Sequence, residues 1–68
     1  METIGERIRG LRTEKGLSAK ALGKEIGVSD ASIIDWENNK HEIKVESLIR
    51  LARFFDISAD YLLGLSDD

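Results

Sequence analysis

An all-α domain of five short helices is the fold this sequence predicts. Three observations lead there. Apolar residues recur at intervals of three and four, no segment alternates apolar with polar residues as a half-buried strand would, and residues that start and stop helices divide the chain at short intervals. The 68 residues suffice for one small core, and neither an internal repeat nor a linker divides them, so 1–68 is expected to form a single domain.

Thr3 followed three residues later by Glu6 has the form of a capping box, and Ile4, Ile8 and Leu11 then repeat at helical spacing. Helix 1 is predicted from about Ile4 to Lys15. Gly16 supplies the left-handed residue that commonly ends a helix, and Leu17 is placed for the apolar contact that accompanies it. Arg7 and Arg9 read as a solvated polar face.

Ser18 is a good N-cap for helix 2, whose inward positions are Ala21, Leu22 and Ile26, and Gly27 ends it. Gly23 sits mid-helix, where glycine costs about 1 kcal/mol against alanine, so close approach of the next helix is expected there. A side chain larger than Ala would wedge the pair apart. Ser29 caps a third helix, Asp30 to Glu37, with Ile33 and Trp36 inward and Asp30 in the first turn, where the helix dipole favours an anion.

Asn38 to Lys44 is polar and aperiodic and reads as a loop. Helix 4 follows, with Val45, Leu48, Ile49, Ala52 and Phe55 on one stripe and Leu51 and Phe54 widening it, a breadth that predicts a central helix contacted on two sides. Lys44 is a poor cap for it. Ser58 caps a last helix, ADYLL, that ends near Gly64, and the tail Leu65 to Asp68 is expected to fray.

Composition excludes several classes. Without cysteine there is neither a disulfide nor a thiolate zinc site, no apolar run approaches a membrane span, and METIGE lacks the order of a signal peptide, so the cytoplasm is the default location. His41 is the only histidine and lies in a charged loop. Pairs such as Asp56 and Asp60 sit beside helix ends, and no nucleophile–base set or metal-ligand spacing is present, so an enzyme, a metal or a cofactor is not expected. The one Trp, one Tyr and two Phe lie at helical spacing among Leu and Ile and read as core, not as a stacking platform for single strands. Net charge is −3, but residues 1–24 carry six basic and three acidic groups, and residues 25–68 four basic and ten acidic.

The segments ERIRGLRTEKGLS, AKALGKEIGVSDASIIDWEN with its exit WENNK, and SLIRLARFFDISADYLLG together resemble the lambda-type phage repressors and the wider Xre-like (Cro/C1-type) family of bacterial regulators. The resemblance is co-linear over nearly the whole chain. It implies a lambda-repressor-like five-helix domain with the helix-turn-helix at helices 2 and 3 (about 19–38), a double-stranded DNA operator as partner, no small-molecule ligand, and a homodimer acting as a transcriptional repressor. Transferred residue by residue, it turns Asp30, Ala31, Ile34 and Asp35 toward the bases with Ser32 beside them, and Ser18, Ala19, Lys20, Asn38 and Lys40 toward phosphates. It pairs Arg12 with Glu37 in a buried or half-buried salt bridge. It also implies a dimer contact from the C-terminal apolar group of Phe54, Tyr61 and Leu65, with Leu62 assigned to the core.

The chain departs from that family at the site itself. Ala19 stands where relatives often carry Gln, and the reading face offers two carboxylates, an alanine and an isoleucine. A carboxylate matches only the cytosine amino group among major-groove edges, and Ala31 and Ile34 suit thymine methyls, so a site containing C and T is expected. Two aspartates and an isoleucine would also suit a basic protein partner, such as a toxin or another regulator, which makes a protein-interaction module of the same fold the second reading.

Overall fold

Thr3, Ser18, Ser29 and Ser58 each accept a hydrogen bond from the backbone N–H three residues on, at 3.1, 3.0, 3.2 and 3.0 Å, and each starts a helix. The computed structural model describes residues 2–66 and contains α1 (Ile4–Glu14), α2 (Ala19–Ile26), α3 (Asp30–Glu37), α4 (Val45–Phe55) and α5 (Ala59–Leu63). The expected boundaries hold to within a residue. Glu6 completes the capping box by accepting the Thr3 N–H at 3.1 Å. Those bonds from Thr3 hold its carboxyl below the usual carboxylate range. The cap is therefore intact at neutral pH and weakens as the pH falls through that lowered value. As expected, Lys44 makes no side-chain cap for α4.

The exits are as uniform as the starts. Gly16, Gly27, Asn39, Asp56 and Gly64 all have positive φ, between 55° and 79°. The N–H of the following residue then reaches back into the last turn, from Leu17, Val28, Lys40, Ile57 and Leu65 to the carbonyls of Arg12, Gly23, Asp35, Ala52 and Asp60, at 2.8 to 3.1 Å. Asn and Asp are the non-glycine residues that tolerate this conformation best. The bond from Leu65 corrects the expectation of a tail frayed from that residue onward, while Asp67 and Asp68 lie outside the described residues.

Among the described residues the main helix pairings form a closed circuit: α1 packs on α3, α3 on α2, α2 on α4, α4 on α5, and α5 returns to α1. Ile8, Leu22, Ile26, Ile33, Trp36, Leu51, Ala52, Phe55 and Leu62 fill its middle. Two-sided contact of α4 is therefore present, but the helix is not central, since each helix has two principal neighbours. The broad apolar stripe is corrected as well. Leu48, Leu51, Ala52 and Phe55 face inward, while Val45 and Ile49 are 71% and 44% exposed. Val45 lies in the first turn and, like Ile49 at the margin of the buried face, packs outside the core cluster.

Two glycines set how closely backbones approach. A Cβ on Gly23 would lie 2.5 Å from the Val28 carbonyl oxygen, so what comes close is the turn between α2 and α3, and even Ala is too large. Gly5, which periodicity did not single out, is buried where a Cβ would overlap the Trp36 carbonyl and lie 2.6 Å from that of Glu37. No helix among the described residues is long and apolar enough to cross a membrane.

These two environments predict opposite outcomes for the same chemical change. Gly5→Ala should lower the unfolding free energy by about 2 to 4 kcal/mol through forced separation of α1 from α3. Gly10→Ala, in the same helix with nothing within 4 Å of the added carbon, should raise it by about 0.5 to 1 kcal/mol. Urea denaturation of the two variants beside the parent reads both.

Candidate nucleic-acid interface

The inward side of α3 fixes which side faces out. Ile33, Trp36 and Glu37 are buried, which leaves Asp30, Ala31 and Ile34 exposed and Ser32 and Asp35 half-buried at the margins. The five residues expected to face bases thus occupy one surface, but two of their polar groups are already hydrogen-bonded and a third lies beside a histidine. The Asp30 carboxylate accepts the Ala31 N–H at 2.9 Å, the Ser32 hydroxyl accepts from that of Ser29 at 3.2 Å, and Asp35 Oδ2 lies 3.2 Å from His41 Nδ1. Ala31 and Ile34 are the unencumbered apolar pair of the face.

The residues expected to meet phosphates lie at the start of α2 and just after α3. Ser18, Lys20, Asn38 and Lys40 are exposed at the start of α2 and the exit of α3. Ala19 is half-buried against the core, so its backbone N–H is the part it can offer a ligand. The Ser18 hydroxyl is occupied by the Ala21 N–H.

One carboxylate ties this surface to α1. Glu37, 4% exposed, accepts from Arg12 Nε at 2.6 Å and Arg12 Nη2 at 2.9 Å, so the expected salt bridge is present, in bidentate form. These bonds hold the Arg12 guanidinium's pKa above its ordinary value and keep it charged. Arg12 Nη1 donates to the Leu17 carbonyl at 2.9 Å, so the same guanidinium also braces the turn into α2.

Arg9 corrects the solvated-face reading. Its Nε donates to Glu37 Oε1 at 3.3 Å and its Nη2 to Asn38 Oδ1 at 2.8 Å, while half of its side chain stays exposed. Two guanidiniums on one carboxylate leave a net positive charge beside Asn38, and the three-residue spacing of Arg9 and Arg12 on α1 was the available signal. Arg7 departs from that reading too: its guanidinium stacks 4.5 Å from the Tyr61 ring centre. Asn39, read simply as loop, accepts from Gly5 N–H at 3.3 Å and donates to Thr3 Oγ1 at 3.0 Å, pinning the α3 exit to the start of α1.

The expected dimer residues differ among themselves. Phe54 is half-buried and packs edge-on to Phe55 at 5.1 Å, Tyr61 carries Arg7, and Leu65 is 73% exposed. Leu62 is fully buried, as assigned.

The asymmetry of the Glu37 cluster is measurable as stability. Glu37→Gln leaves Arg12 without its buried counter-charge and should cost about 3 to 5 kcal/mol. Arg9→Gln removes a more exposed partner and should cost less than about 1 kcal/mol. Equal losses in denaturant titrations would mean that the two arginines share the carboxylate evenly.

A helix-turn-helix family model matches residues 8–62. Over 62 residues the chain is 40% identical to the repressor protein C2 of Salmonella phage P22, which covers 91% of this chain and 29% of that protein. Over 63 residues it is 36% identical to YobD of Bacillus subtilis, described as an uncharacterized HTH-type transcriptional regulator, covering 93% of this chain and 56% of that protein. The chain therefore spans from under a third to just over half the length of these relatives. A crystal structure of the P22 c2 repressor in complex with a synthetic operator superposes with a TM-score of 0.91 at 38% identity, covering 97% of this chain and all of that one. With a family model matched over most of its length and a fold shared over 97% of the chain with a phage repressor, the chain belongs to the Cro/C1-type helix-turn-helix family.

Proposed function

We propose that this chain is the DNA-binding unit of a transcription regulator, a repressor, which docks α3 in the major groove of an operator as a homodimer. The observation that carries this reading is the likeness, over nearly all residues, to a repressor solved on its operator. Residues 1–68 act as one domain, and a cytoplasmic location follows from the DNA target. A protein-interaction module is not favoured, because the matched relatives are transcription regulators.

In this reading Asp30, Ala31, Ile34 and Asp35 meet base edges with Ser32 at their margin. Lys20, Lys40, Asn38, Ser18 and the Ala19 amide hold phosphates. Arg9 joins that set, because Glu37 and Asn38 hold its guanidinium at the rim with charge to spare. One eight-residue helix reads few base pairs, so two copies reading half-sites roughly 34 Å apart supply the rest. Leu65 is the most exposed of the residues assigned to the dimer contact.

Selection from random duplex DNA at low salt should return a palindromic motif enriched in C and T. Failure of the folded protein to enrich any motif would falsify the reading. On the selected site, Lys40→Ala should reduce the slope of log K against log salt by about 0.9, the value of one phosphate contact, and leave the motif unchanged.

A further inference from the structure

We propose that the groove between the end of α2 and α4 docks an acidic segment of a partner protein, whose carboxylates pair with Arg53 and Lys24 and whose apolar side chain rests on Phe54. The inference goes beyond the DNA-binding reading and does not rest on it, because none of the groove's residues is assigned to bases or phosphates.

The groove has a volume of about 560 Å³ and is lined by residues 24–27 at the end of α2 and by Arg50, Arg53 and Phe54 on α4. Its floor is apolar, since Ile26 is buried and Phe54 half-buried. Lys15 reaches over from the end of α1, its Nζ 5.2 Å from the Phe54 ring centre. Phe54, assigned by resemblance to the dimer contact, is thus the base of this groove, and Tyr61 and Leu65 remain for that contact.

The charges around this ring run against the rest of the chain. Lys15, Lys24, Arg50 and Arg53 stand against two carboxylates, Glu25 and Glu46, so these side chains sum to +2 where the whole chain carries −3. Arg50 is committed internally: its Nη2 donates to Glu46 Oε1 at 2.6 Å and its Nη1 to the Ile26 carbonyl at 3.1 Å. A helix C-terminus turns carbonyls outward and repels an anion, and Arg50 covers the last carbonyl of α2. Arg53 has no such commitment. The other four arginines each hold a carboxylate or a ring, whereas Arg53 and Lys24 are exposed and, among the described residues, their side chains have no hydrogen bond, ion pair or ring contact.

Together these features select the class of ligand. Free cations call for an anion, and a half-buried ring between them calls for an apolar group on the same molecule. A peptide whose carboxylates flank an apolar side chain meets both needs, and the planar guanidinium of Arg53 suits one of those carboxylates in bidentate form. A phosphate backbone fits less well. It brings no apolar side chain to the ring, and the groove presents no helix N-terminus, the backbone element that favours phosphate. The groove also lies at the opposite end of α2 from Ser18 and Lys20, roughly 10 Å along the helix from its first residue, so the two ends are separate surfaces.

The test titrates isotope-labelled protein with a short peptide of leucines interspersed among aspartates, read by amide NMR shifts, and repeats the titration on variants by fluorescence anisotropy. Shifts should cluster on residues 24–27 and 50–54, with a Kd on the order of 100 μM. Arg53→Gln should weaken binding about fivefold, and Lys24→Gln added to it at least about tenfold in all. Lys44→Gln, the loss of an exposed cation outside the groove, should leave binding unchanged. Serine in place of the peptide's leucines should weaken it about fivefold. The inference is overturned if the peptide does not bind at millimolar concentration, if the shifts fall on other residues, or if Lys44→Gln weakens binding as much as Arg53→Gln. It is overturned equally if the serine peptide binds as well as the leucine peptide, which marks charge attraction alone. Loss of duplex DNA affinity in the double variant as large as its loss for the peptide assigns the groove to nucleic acid and overturns it too.

Discussion

The carboxylate of Glu37 is the constraint on which the candidate interface depends. It is the last residue of α3, it is buried, and it accepts from two arginines of α1. A buried charge is tolerable only when paired and hydrogen-bonded, so α3 can end in one place relative to α1. Arg12 extends the constraint to the α1–α2 turn through the Leu17 carbonyl, and Arg9 extends it to the loop through Asn38. One group therefore sets the entry to α2, the end of α3 and the first residue beyond. Gly5 acts on the same contact a turn earlier in α1, where its missing side chain lets the Trp36 and Glu37 carbonyls close in. The two features work together. The glycine permits the approach and the ion pair selects its register.

Uniform helix exits leave one informative exception. Each exit uses a left-handed residue followed by a backbone bond into the last turn, and at four of the five the residue making that bond is apolar: Leu17, Val28, Ile57 and Leu65. An apolar residue there ordinarily packs back on its own helix. After α3 the position is Lys40, which is exposed. The fold thus keeps the backbone device and places a cation where three of the other exits, at Leu17, Val28 and Ile57, place an apolar contact with the core. That substitution turns a structural exit into part of a charged rim beside Asn38 and Arg9.

What was legible in the residues follows from the range of the physics involved. Caps and exits are local, so Thr3, Ser18, Ser29, Ser58 and the glycines marked the helix boundaries, and the outward face of α3 followed from helical geometry once Ile33 and Trp36 were inward. Exposure of Val45 and Ile49 depends on how far α2 and α5 extend over α4, which periodicity does not encode. Gly5 escaped notice because its neighbours are more than thirty residues away in sequence. Arg9 and Arg12 are alike in sequence, and only the reach to one carboxylate distinguishes a half-exposed guanidinium from a clamped one. At the site, the residue types on the reading face were evident, but the engagement of Asp30 by the Ala31 amide and of Asp35 by His41 depends on rotamers and on a loop path fixed by Asn39.

An acidic reading face changes how recognition must be divided. On the proposed docking, attraction comes from a few cations at the rim and from helix-start amides, while the chain's net charge of −3 opposes long-range approach. Carboxylates on α3 then act mainly by exclusion. Against guanine O6 and N7 they meet acceptors and are penalised, whereas the cytosine amino group satisfies them, a contrast of about 1 to 3 kcal/mol per base pair. Specificity built on rejection adds little affinity. On the proposed docking a single domain would bind weakly, and a second copy fixed at the correct spacing would raise affinity without altering either face, because its binding becomes intramolecular. The acidic face and the proposed symmetric dimer are in this sense one proposal, which assigns discrimination to α3 and retention on DNA to the rim and the partner copy.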